Sequence, residues 1–180
     1  CVKAYEIEDL EAFEESNVIK KILQDVQKNL EDAKALVEFA MQTALSIDGP
    51  AAYEAALEKD LIVIEDLQSA RTYRQQSEAF ANVKWARLPV NKDKTVSEEK
   101  ITQVKKLREM VKGVVKNIAA QYFYETTEAM IEDMNLCAPA MEELADLVRL
   151  FGSRFEEKKR SQNMIDFSDM EQYALRLLTQ

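Results

Sequence analysis

No histidine occurs among the 180 residues, and there are only two cysteines, three glycines and three prolines. Without histidine there is no imidazole general base, no histidine-dependent triad and no histidine-bearing metal site. Cys1 and Cys137 form no disulfide framework, and two cysteines this far apart make no zinc site. A reducing, cytoplasmic setting is the simpler expectation. Three scattered glycines cannot build a phosphate-cradling loop, and neither GxxxxGK followed by Ser or Thr nor GxGxxG is present. The longest apolar runs resemble residues 61–64, far short of the ~18 residues of a membrane span. With no signal-peptide pattern either, a soluble chain without membrane contact is expected. None of these residues offers a catalytic constellation.

What is abundant is Ala, Leu, Glu and Lys, the composition of long helices joined by few tight turns. The mass of 20.7 kDa fits one domain, or a domain with a helical appendage. Residues 1–15 are acidic with sparse apolar positions and read as a short helix or a frayed lead-in. Ser16 or Asn17 can cap a first long helix, in which Ile19, Ile22, Val26, Leu30, Ala33, Val37, Ala40 and Ala44 recur at three and four residues. About 30 residues at 1.5 Å each make a rod of roughly 45 Å. Asp48-Gly49-Pro50 ends it, with Gly49 expected as the C-terminal cap and Pro50 in the first turn of the next helix. A second helix continues through Tyr53, Leu57, Leu61 and Ile64, and a third is expected over Thr72–Trp85, closed by Leu88-Pro89.

Residues 90–96 read as a loop, and Thr95 with Glu98 predicts a capping box for the fourth helix. Ile101, Val104, Leu107, Val111, Val115, Ile118 and Tyr122 form that helix's apolar stripe. A fifth helix starts at Thr126 or Thr127, and Pro139 is expected to break it and open a sixth. A final helix is capped by Asp166 or Ser168, with Asp169 and Glu171 as the matching third residues. Its Phe167, Met170, Ala174 and Leu177 face a partner. The fold class is therefore all-α, a multi-helix bundle with long antiparallel helices.

The net charge of −9 is unevenly spread. Residues 1–70 carry 6 basic and 16 acidic side chains, residues 71–120 carry 12 and 5, and residues 121–180 carry 6 and 12. A basic island thus sits inside an acidic chain. Arg71, Arg74, Lys84 and Arg87 precede the loop, Lys92 and Lys94 lie in it, and Lys105, Arg108, Lys112 and Lys116 follow it. At 100° per residue the last four make a ridge bordering the fourth helix's apolar stripe. If the third and fourth helices form a hairpin, these charges share one end and one flank. Cations on a rigid rod can contact phosphates without reading sequence; a solvated face paired with the acidic thirds, or an acidic protein partner, are the other readings. Trp85 and Tyr122-Phe123-Tyr124 could stack on bases but are expected to pack between helices. Cys137 is expected in the core. Carboxylate pairs such as Glu142/Asp146 and Glu128/Glu132 read as solvated faces.

The stretch from Lys158 to Leu178 reads as an approach to something larger: a basic helix end, a short loop and a capped amphipathic helix. A chain that opens on Cys1 and stops soon after this approach is expected to be a segment of a longer polypeptide. Ile165-Asp166-Phe167-Ser168-Asp169-Met170, followed by Tyr173-Ala174-Leu175, resembles a segment of the superfamily 1 DNA helicases of the UvrD/Rep/RecB type. There it lies just after the inserted helical subdomain 1B. Its form is closer to the AddA (RexA) subunits of recombination helicase–nucleases. Gly49-Pro50-Ala51, Tyr53, Ala56-Leu57, Asp60-Leu61, Ala86-Arg87-Leu88-Pro89 and Phe155 with Lys159-Arg160 extend the likeness over roughly residues 40–178.

The resemblance implies a parent that uses ATP and Mg2+, moves on DNA and degrades broken duplex ends to start recombinational repair, paired with a second subunit of the AddB/RexB type. It implies that residues 1–162 are a 1B-like helical insertion with a basic hairpin at 71–120, and that residues 163–180 begin the return into a RecA-like motor. The ten cations named above become candidates for contact with double-stranded or forked DNA. Asp166, Ser168 and Asp169 become cap residues at the junction. No catalytic, ATP or metal residue is assigned within the chain; a structural or protein-interaction bundle is the alternative.

Overall fold

The computed structural model describes residues 6–90, 93 and 95–178. Among the described residues every regular element is helical, so the chain is all-α. Two compact units divide it, Ile7–Ile131 and the residues from Glu132 on, and each is described by itself.

In the first unit the acidic lead-in becomes α1 (Leu10–Glu15), capped by Asp9, whose carboxylate accepts from the Ala12 N–H at 2.8 Å. Its one buried residue, Phe13, anchors it. The Ser16 hydroxyl accepts from the Ile19 N–H and starts α2 (Asn17–Leu45). Along α2 the residues Val26, Leu30, Ala33 and Val37 meet Ile64 and Leu67 of α3 (Glu54–Ser69), Phe80 of α4 (Tyr73–Ala81) and Val111, Val115 and Ile118 of α5 (Glu98–Tyr122). A second cluster joins Ala40 and Ala44 of α2 to Tyr53, Leu57, Val104 and Leu107. The α2 rod is therefore the shared wall of the bundle, flanked by α3 and α5. Each fully buried Val, Leu or Ile contributes about 1.5–3 kcal/mol.

The turn after α2 works differently from the sequence expectation. Asp48, not Gly49, takes the left-handed backbone, with φ 55°. Gly49 is required for close approach instead: a Cβ there would lie 2.4 Å from the Thr43 carbonyl oxygen. Pro50 precedes a single 3-10 turn, Ala51–Tyr53, that leads into α3.

The helix expected over Thr72–Trp85 stops at Ala81. Asn82 ends it because its side-chain amide donates to the Glu78 carbonyl at 2.8 Å, the acceptor that its own backbone N–H would have used. The backbone N–H turns back to Ala79 at 3.2 Å. Trp85 consequently lies outside any helix, in an irregular segment over residues 83–90. The cap of α5 is Ser97, not Thr95. Thr95 is engaged by Asp93, whose carboxylate accepts from its N–H at 2.8 Å and its hydroxyl at 2.7 Å.

Pro139 does not divide the next helix. A single helix, α6 (Thr127–Ser161), runs through it, giving up only the bond that a proline N–H cannot make. In the second unit α6 closes with a left-handed Asn163, φ 50°. The Met164 N–H bonds the Lys159 carbonyl at 3.0 Å and the Asn163 N–H bonds Arg160 at 3.1 Å, the Schellman pattern. α7 (Phe167–Leu178) follows. Asp166 and Asp169 cap it reciprocally, each carboxylate accepting the other's backbone N–H at 2.9 Å. Ser168 sits inside the first turn.

Candidate nucleic-acid interface

The ten cations singled out by charge do not form one ridge. Arg108 is the clearest departure: it is 5% exposed and its partner Asp60 is fully buried. Its guanidinium forks onto the Asp60 carboxylate, with Nη2 at 3.0 Å from Oδ1 and Nε on Oδ2, and Nη2 also donates to the Ala86 carbonyl. The helical stripe puts Arg108 beside the apolar face, and a carboxylate on α3 draws it inward. It is a strut, too deeply placed to offer its charge to a phosphate.

That strut fixes the irregular segment. Ala86 is held by Arg108, while Leu88 packs on the cluster around Tyr53 and Leu57. A groove opens on each side. One, of about 370 Å³, is lined by Lys59 of α3, by Lys84, Trp85 and Arg87 of the segment, and by a floor that includes Ala52, Ala55 and Ala56. Three cations and no carboxylate are among the described residues lining it. The other, of about 500 Å³, runs between the segment and α5 and carries Lys105 against Glu98. Lys84, Arg87 and Lys105 are all exposed, and so is Lys59.

The remaining cations are dispersed. Arg74 pairs with Glu78 at 3.3 Å, and Lys112 with Glu109 at 2.7 Å, where its ammonium holds the Glu109 carboxyl below the usual range. Exposed pairs of this kind are worth about 0–1 kcal/mol and are easily exchanged for another anion. Arg71 lines a separate groove with Lys28 and Glu31 of α2. Lys116 is exposed on α5. Lys92 and Lys94 lie outside the described residues.

The aromatic cluster is mostly packing. Phe13 meets Tyr73 edge-on at 5.2 Å, and Phe123 stacks on Phe80 at 4.9 Å. Tyr122 packs against the core and its carbonyl accepts from the Tyr73 hydroxyl, while Tyr124 is exposed. Trp85 is half-buried, with one side on the core and the other in the groove.

No family model matches the sequence. Individual relatives do: 32% of residues are identical over 181 positions to the AddA (RexA) component of the "ATP-dependent helicase/nuclease" of Bacillus cereus strain AH187, covering 99% of this chain. The protein of the same description from Lachnoclostridium phytofermentans is likewise 32% identical, over 98% of this chain. Over the span that it covers, the chain belongs to the AddA (RexA) family. It spans only 14% of the length of the first relative and 13% of the second.

Within the AddA family, the motif residues of this chain acquire structural jobs. Asp60 and Ala86 are the two partners of Arg108, and Gly49 makes the close approach after α2. Lys59 is the groove residue that sequence reasoning missed. Its neighbours Glu58 and Asp60 hide it in an acidic stretch, and only the packing of α3 against residues 83–90 brings it to Lys84 and Arg87. Cys137 is exposed, contrary to the core position expected for it. It lies on an apolar stripe of α6 whose large side chains are themselves exposed.

Proposed function

We propose that this chain is the DNA-contacting helical insertion of an ATP-dependent helicase/nuclease subunit of the AddA type, acting in double-strand break repair and recombination. In this reading residues 1–162 form the insertion and residues 163–180 begin the return to the motor. The observation that carries it is the groove in which Lys59, Lys84 and Arg87 converge beside Trp85 with no carboxylate among the described lining residues. Cations held on a braced segment next to a flat ring suit a phosphate backbone with an adjoining base or sugar. Arg108 serves the same groove indirectly, since it gives its charge to holding the segment that carries Lys84 and Arg87.

ATP, named in the relatives' description, and Mg2+, expected with it, belong in this reading to the rest of the polypeptide. Among the described residues no group of three Asp, Glu, Cys or His side chains converges for a metal ion, so no residue is assigned to either. The second subunit of the AddB/RexB type and the forked duplex are the partners of the whole assembly in this reading.

Binding of a forked duplex at low and moderate salt tests the proposal, with Lys59, Lys84 and Arg87 changed together to Glu. Affinity should fall steeply with salt, each phosphate contact adding roughly 0.9 to the logarithmic slope, and the triple variant should lose that slope. Salt-insensitive binding, or binding unchanged in the variant, would overturn it in favour of a structural bundle.

A further inference from the structure

The second unit has almost no core of its own. Among its described residues only Ala138 and Lys159 are buried. Its turn is nevertheless tightly built: Lys159 Nζ lies 2.8 Å from both Asp169 oxygens, 2.7 Å from Glu156, 3.3 Å from Asp166 and 4.8 Å from the centre of the Phe155 ring. The unit is thus held by a polar clamp while its apolar side chains point outward.

Those side chains are ordered on one face. At 100° per residue, Leu136, Leu144, Leu147, Val148, Phe151 and Phe155 of α6 fall within an arc of roughly 120°. Glu142, Asp146, Arg149, Glu156 and Arg160 occupy the opposite side. Leu136 is 78% exposed and Phe151 69%. Phe151 and Phe155 stack at 5.8 Å and line an apolar dent of about 390 Å³ with Leu147 and Leu150. On α7, Phe167, Met170, Ala174 and Leu177 share a face of roughly 80°, with Phe167 83% exposed. Solvated helices of this kind, apolar on one side only, mark an interaction surface.

We propose that the apolar faces of α6 and α7 dock onto another part of the same long polypeptide. The matched segment occupies 14% of the relative's length, so most of such a polypeptide lies outside it. Covalent attachment gives a docking surface within that polypeptide an effective concentration in the millimolar range, which a second copy of the chain does not reach at ordinary protein concentrations. The occupant is accordingly an apolar surface of the flanking polypeptide, with the charged side of α6 left to solvent. This rests on family membership and is independent of DNA contact.

Hydrogen–deuterium exchange on a full-length AddA-type protein carrying this chain, compared with the 180-residue chain by itself, tests it. Peptides from residues 144–155 and 167–178 should exchange on the order of tenfold more slowly, or slower still, in the full-length protein. Leu147→Lys with Phe151→Lys should abolish that difference while peptides from α2 and α5 stay protected, which shows that the first unit remains folded. Equal exchange in the two proteins, protection that survives the double substitution, or protection of the isolated chain that rises with its concentration would each overturn the proposal, the last in favour of self-association.

Discussion

Arg108 of α5 spans to Asp60 of α3 in a fully buried fork and, with the same Nη2, holds the carbonyl of Ala86. One guanidinium therefore joins two helices to an irregular segment that has no ladder of its own. Removing Asp60 leaves a buried cation without its counter-charge, which costs about 3–5 kcal/mol. Asp60→Ala should accordingly be among the most destabilising single changes in the first unit. Asp60→Leu combined with Arg108→Met should recover most of the loss, because an apolar pair of similar volume avoids the desolvation cost. Urea unfolding of the three proteins decides it; a double variant no more stable than Asp60→Ala would show that the pair is not the source of the loss.

Trp85 is the chain's single tryptophan and lines the cationic groove, so its fluorescence reports on that groove alone. Forked DNA should change its emission and slow its quenching by iodide. Trp85→Ala should weaken DNA binding by about 1–3 kcal/mol if a base stacks there. Unaltered emission at saturating DNA would place the contact elsewhere.

Much of the fold can be read from the chain because α2, α3 and α5 carry long apolar repeats whose faces have only one way to be buried. Ser16 and Asp166 are legible as caps for the same local reason. Long-range polar pairing is not legible. Periodicity places Arg108 correctly beside the stripe but carries no information about a carboxylate 48 positions earlier. Asn82 shows a local version of the limit: its amide can continue a helix or end it, and only the competition for the Glu78 carbonyl decides. Lys59 is invisible to charge summed along the sequence, whereas the groove sums charge across α3 and residues 83–90. Pro139 signals a break that does not occur, since the long helix on both sides tolerates one missing bond.

The α6–α7 turn should be acid-sensitive. The Lys159 ammonium, followed by the Asp166 backbone N–H, holds the Asp169 carboxyl below its ordinary value of 3.8. A carboxyl whose folded pKa is depressed stabilises the fold above its unfolded pKa and loses that contribution as pH falls through the folded value. Exchange protection of the turn should therefore be complete above about pH 5 and decline below about pH 4. Asp169→Asn should reduce protection at neutral pH and flatten this acid limb. A limb unchanged by the substitution would assign the acid response to another carboxylate.

Glu14 of α1 accepts the backbone N–H groups of Tyr73 at 2.8 Å and Arg74 at 3.1 Å, supplying an anion to the N-terminus of α4. Two donors that no helical carbonyl can reach are thereby satisfied, and the charge opposes the positive end of the helix dipole. Glu14→Ala should cost about 1–2 kcal/mol, while Glu14→Gln, which keeps one acceptor oxygen, should cost less. Urea unfolding of both variants checks this, and equal losses would assign the effect to charge rather than to hydrogen bonding.

Tyr73 sets the alkaline limit of the first unit. Its ring is fully buried between Phe13 and Phe123, its hydroxyl donates to the Tyr122 carbonyl, and burial pushes its pKa from 10.0 up to about 12. The phenol must stay protonated to donate, and Glu14 nearby adds a further disincentive to forming the phenolate. Because the folded pKa is the higher one, the folded state binds the proton more tightly. Its contribution is present in full below about pH 10 and is lost as pH rises toward 12. Stability should fall on the order of 2 kcal/mol through that window. Tyr73→Phe keeps the ring packing, gives up the hydroxyl's bond at a cost of about 1 kcal/mol near neutral pH, and should remove the alkaline loss. Urea midpoints of the two proteins between about pH 8 and pH 11 would check this. A parallel decline in both would show that the alkaline response arises from the other tyrosines and not from Tyr73.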